Sequence, residues 1–108
     1  MFGFGKKEAN TDAMFSAVIQ VALAYFGEYK VLPSEETLIS DVPKVLGHFG
    51  GKMKPSHANC LRKASFLISR GMDGLDEEFK QVGNPSRLTD ADSEKIRRHL
   101  GKLGVYFY

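Results

Sequence analysis

The stretch from Ala13 to Phe26 constrains this chain most, because only Ser16 and Gln20 interrupt an otherwise apolar run. Met14, Val18, Val21 and Tyr25 recur at three- and four-residue spacing, and Phe15, Ile19, Ala22, Phe26 and Tyr29 form a second such stripe beside the first. That period is helical. A helix apolar around most of its circumference cannot face water, so it must be surrounded by the rest of its fold or by a copy of itself. Asn10, Thr11 and Asp12 are all N-cap types, which predicts a helix over Thr11–Glu28 and a flexible arm over residues 1–9. Lys6, Lys7 and the Ala22-Leu23-Ala24 triplet give the segment some marks of a secretory signal. Glu8 and Asp12 spoil the positive leader and Gln20 breaks the apolar run, so that reading is set aside. The run is also shorter than the ~20 residues that span a bilayer.

The remaining chain continues in helices. Ser34 with Glu35 and Glu36 marks a second start, and Leu38, Val42, Val45 and Phe49 keep helical spacing. Pro43 removes one backbone donor and crowds the carbonyl four residues earlier, which predicts a kink there, or a restart capped by Asp41. Pro55-Ser56 opens a third helix whose inner stripe is Ala58, Leu61, Ala64, Ser65 and Ile68, with Gly71 as its stop. A short helix is predicted over Leu75–Val82, and Thr89 with Asp92 forms a capping-box pattern before a last helix of about Asp90–Leu103. Val105 to Tyr108 is an apolar tail of a kind usually tucked against a core or a partner. The expected fold is a compact all-α bundle of four to five helices, one domain over residues 1–108, with a short extended tail.

With 43% hydrophobic and 26% charged residues, the 108-residue chain has the composition of a globular domain with a single core. Its one cysteine, Cys60, can make no internal disulfide and no zinc site by itself, which favours a reducing, cytoplasmic setting.

A net charge of +2 is too small to imply a polyanion partner, yet its distribution is uneven. Between Asp41 and Asp73 there is no acid, while Lys44, Lys52, Lys54, Arg62, Lys63 and Arg70 all fall in that interval. Lys52, Lys54, Arg62 and Lys63, extended by Arg97, Arg98 and Lys102 in the 94–102 helix, are the candidate anion-binding residues. The helix–Gly-Asn-Pro–helix arrangement after Leu75 loosely resembles a helix-turn-helix, but acids open its second helix, where phosphates would be repelled.

Other chemistry is poorly supported. Gly47-His48-Phe49-Gly50-Gly51-Lys52-Met53 has the glycines and lysine of a phosphate loop, but lacks Gly at Leu46 and a hydroxyl at Met53 and comes after a helix. His57 and Cys60 share a helical face, yet two ligands do not make a metal site, and His57 reads as a surface or first-turn residue. Each carboxylate cluster opens a helix, where capping and the helix dipole account for it. No enzyme activity, cofactor or metal is expected. The leading expectation is a protein–protein interaction module that self-associates into a homo-oligomer, using Phe2, Phe4, Tyr106, Phe107 and Tyr108 as anchors, with nucleic-acid or polyanion binding through the 44–70 band as the alternative.

Overall fold

The computed structural model describes residues 6–107, with side chains from Asn10 onward. Five helices succeed one another: α1 (Lys6–Tyr29), α2 (Glu35–Leu46), α3 (Pro55–Ser69), α4 (Leu75–Val82) and α5 (Asp90–Lys102). No strand occurs among the described residues, and none of their helices is long and apolar enough to cross a membrane.

The bundle is organised around α1. Ala13, Met14, Phe15, Ala17, Val18, Ile19, Val21, Ala22 and Leu23 are all buried, because α2, α4 and α5 pack about this helix. The company that its apolar surface requires therefore comes from within the same chain. α1 also starts earlier than its cap residues imply, so residues 6–9 belong to a helix rather than to an arm. Asn10 does not cap; its side chain is turned inward, and Oδ1 accepts the Lys52 backbone N–H at 2.7 Å.

α2 starts where its sequence places it, with Ser34 in extended backbone accepting the Thr37 N–H at 3.2 Å. It then runs unbroken through Pro43, without the expected restart. The carboxylate of Asp41 pairs with Lys44 at 3.8 Å instead of capping a new helix. Pro43 and Ile39 both lie on the exposed side of α2, where water can serve the carbonyl that the proline leaves without a donor.

The later helices keep their predicted inner faces. Leu75, Phe79 and Val82 of α4 and Ile96 and Leu100 of α5 are buried. Thr89 and Asp92 form the capping box: Thr89 Oγ1 accepts the Asp92 N–H at 3.1 Å, and the Asp92 carboxylate accepts the Thr89 N–H at 3.5 Å.

The end of α5 sets the direction of the tail. The Val105 N–H reaches the Leu100 carbonyl at 2.9 Å and the Gly104 N–H reaches the Gly101 carbonyl at 3.0 Å, with Gly104 at φ 91°. These are the two bonds of a Schellman turn, completed by an apolar contact pair, Leu100 and Val105, both fully buried. The turn sends the chain back over the bundle. Beyond it the side chains alternate: Val105 and Phe107 point inward and Tyr106 is half exposed.

Candidate functional site

The inward residue of the tail explains a histidine that the sequence misplaces. Phe107 stands edge-on to Phe15 of α1, with centroids 4.9 Å apart, and edge-on to His57 of α3 at 5.9 Å. His57 does lie in the first turn of α3, but it is fully buried, with Phe107 of the returning tail against its ring, so it is a core residue rather than a surface one. Its neighbour Cys60 donates its S–H to the Tyr106 carbonyl at 2.6 Å. The pair that might have formed a thiol–imidazole site is thus occupied in seating the tail.

The tail runs antiparallel along α3. Gly104 lies beside Lys63, Tyr106 beside Cys60 and Phe107 beside His57. The Lys63 amine sits 2.5 Å from where a Cβ on Gly104 would stand, so glycine there serves both the left-handed turn and the close approach of the lysine.

This docking joins two acid-free segments. The first is the interval between Asp41 and Asp73; the second begins after Glu94, beyond which the chain carries no Asp or Glu. The ammonium of Lys63 meets the second segment at Gly104. Of the cations in the two segments, Lys44, Arg70, Arg97 and Arg98 are held by Asp41, Glu35, Asp12 and Glu94 respectively. Among the described residues, Lys52, Lys54, Arg62, Lys63, Lys95 and Lys102 have no carboxylate within 4.0 Å.

The predicted anion-binding set is accordingly divided. Lys52, Lys54, Arg62, Lys63 and Lys102 are exposed and without carboxylate partners. Arg97 is turned toward α1, where it pairs with Asp12 and lies over the Phe15 ring at 4.8 Å from its centroid. Arg98 is spanned by Glu94 on its own helix at 3.5 Å. Of the predicted aromatic anchors, Phe107 is an internal packing residue and Tyr106 is half exposed, while Phe2, Phe4 and Tyr108 lie outside the described residues.

The phosphate-loop-like segment has a packing explanation. Gly51 abuts α1 and α2, where a Cβ would stand 2.7 Å from both Ala13 Cβ and Leu46 Cδ1. The connection between α4 and α5 carries a 3₁₀ turn, Pro85–Arg87, initiated by Asn84, whose Oδ1 accepts the Ser86 N–H at 3.0 Å. It is an ordered corner longer than a tight helix-turn-helix link.

Two features had no signal in the sequence. A groove of about 450 Å³ opens between the second half of α1 and α2, lined by Val21, Ala24, Tyr25, Tyr29 and Val45 and rimmed by Glu28 and Asp41. The rings of Tyr25 and Tyr29 are 4.5 Å apart, and Tyr29 is 60% exposed. The second feature is His99 of α5, which lies between Glu78 of α4 and Asp73 of the turn before α4, residues 21 and 26 positions away.

Comparison of the chain with family models, with curated proteins and with solved structures returned no match.

Proposed function

We propose that this chain is a non-enzymatic module that binds nucleic acid through its phosphates, using the exposed side of α3 together with the C-terminal turn. One observation carries the reading: Lys52, Lys54, Arg62 and Lys63 are exposed before and along α3 with no carboxylate within 4.0 Å, and the docked tail that lies against Lys63 adds no acid to that face. Helix α3 is 15 residues long, which at 1.5 Å per residue gives a run of about 22 Å. Lys52 and Lys54 stand before its start, and Arg62 and Lys63 stand on its second half. A linear array of that kind suits the regular charge of a polynucleotide backbone. Half-exposed Tyr106 adds a ring on which an unpaired base can stack.

The non-enzymatic reading draws on the polar groups that might have done chemistry. Both ring nitrogens of His99 are engaged by carboxylates, and the Cys60 thiol is engaged by a backbone carbonyl. A reducing, cytoplasmic setting suits that single thiol.

The test is fluorescence anisotropy with a labelled oligonucleotide. Lys63→Glu is expected to weaken binding at least tenfold, whereas the same charge change at Lys80, which is already paired with Asp76 on α4, is expected to change it little. Equal losses from both variants, or binding to anionic phospholipid vesicles in place of the oligonucleotide, would overturn the reading.

A second reading, protein binding with self-association, is favoured by the groove between α1 and α2. Its tyrosine-rich apolar lining is the material of interface centres, and the partner proposed for it is a second copy of this chain. Sedimentation analysis of the whole chain and of Tyr29→Glu decides: a dimer lost in the variant supports it, and a monomer at every concentration refutes it.

A further inference from the structure

His99 is only 16% exposed at its side chain, and so is Glu78, whose Oε1 meets its Nδ1. Its other nitrogen, Nε2, lies 3.1 Å from Oδ2 of Asp73, which is 67% exposed. An ionised carboxylate only accepts hydrogen bonds, and a neutral imidazole has a single N–H to donate. Two such bonds at once therefore require both ring nitrogens to carry protons. Asp73 itself is held in left-handed backbone at φ 55°, a region that costs a non-glycine residue conformational energy.

We infer that His99 is a proton-operated clasp: doubly protonated, it ties α5 to α4 through Glu78 and to the α3–α4 turn through Asp73, and when it loses a proton it releases Asp73 and lets that turn loosen. Asp73 is the partner released because it is the exposed one and because its backbone relaxes on leaving. Facing His99 are Asp73 from the turn and Glu78 from α4, while Lys95, Arg98 and Lys102 of its own helix line the same cavity of about 330 Å³. Asp12, from α1, pairs with Arg97.

The direction in which the clasp works is set by these neighbours. Burial alone pushes the imidazole down, but the hydrogen bonds and charges of Glu78 and Asp73 outweigh it and raise it above its ordinary 6.5. A group raised on folding stabilises the fold fully below its unfolded value and ceases to do so as pH climbs through its folded one. The clasp is therefore closed below about pH 6.5 and opens above the raised value.

The experiment is NMR on the whole chain from pH 5 to 9, tracking the His99 ring nitrogens and the amide-exchange protection of residues 72–75. Both nitrogens are expected to be protonated at pH 6. Protection of the turn is expected to fall on the order of tenfold as His99 titrates above 6.5 and the turn opens locally. Asp73→Asn keeps a residue tolerant of left-handed backbone but removes the anion, so His99 should titrate closer to 6.5 and protection should lose its pH dependence. His99 titrating at or below 6.5, protection that ignores its titration, or an Asp73→Asn variant behaving like the parent would each overturn the inference. None of these readouts depends on nucleic-acid binding.

Discussion

The core around α1 and the face made by α3 with the C-terminal turn differ in how the chain encodes them. In α1, residues three and four apart in sequence are neighbours in space, and every position from Ala13 to Leu23 except Ser16 and Gln20 is buried. On the face, Lys63 meets Gly104 and Cys60 meets Tyr106, positions more than forty residues apart. The core is thus written in local period and the face in long-range docking. One residue, Phe107, belongs to both, because its burial against Phe15 and His57 holds the face in place.

That makes Phe107 the strongest place to break the distinction. Phe107→Ala is expected to cost about 3–5 kcal/mol in urea unfolding, as a fully buried phenylalanine does, and to lower amide protection along residues 104–107. A cost near zero would mean that the tail is not part of the core. Gly51→Ala tests close packing beside α1: its new methyl would meet Ala13 and Leu46 at 2.7 Å, with an expected loss of about 1–3 kcal/mol in the same assay. Thr89→Ala removes the cap of α5, and a thermal melt should show a loss of about 1 kcal/mol. Smallest of all is Arg98→Ala, because the Arg98–Glu94 pair is exposed on both sides; its expected change lies below about 0.5 kcal/mol. A larger effect there would show that cations outside the core also sustain the fold.

The two modes of encoding also decide what is legible in the sequence. The all-α bundle and the starts of α2 and α5 come from apolar spacing and from Ser34, Thr89 and Asp92, all acting within a few residues. The start of α1 escapes such reading because Asn10 bonds Lys52, a partner that no local pattern reveals. Pro43 reads as a kink or a restart, and its exposed position on α2 lets the helix continue without the restart. His57 looks superficial because part of what surrounds it, Phe107 of the returning tail, lies fifty residues further on. For the candidate site, the acid-free interval before Asp73 is visible in the sequence, and the matching stretch after Glu94 is equally available. Their meeting is not, since it depends on a Schellman turn aiming the tail along α3. The setting of His99 carries no sequence mark at all, because its carboxylate partners lie 21 and 26 residues away on different elements.

The central claim, that the exposed cations of α3 and the loop before it, with the acid-free tail docked beside Lys63, bind a phosphate backbone, is tested most directly by the salt dependence of oligonucleotide affinity. For the parent chain, log affinity should fall linearly with log salt at a slope of roughly −0.9 per phosphate contacted on a duplex, giving about −3 to −4 when Lys52, Lys54, Arg62 and Lys63 engage. The doubly substituted Arg62→Glu, Lys63→Glu chain should show a slope shallower by about 2. A slope near zero in the parent, or the same slope in both chains, would contradict the account.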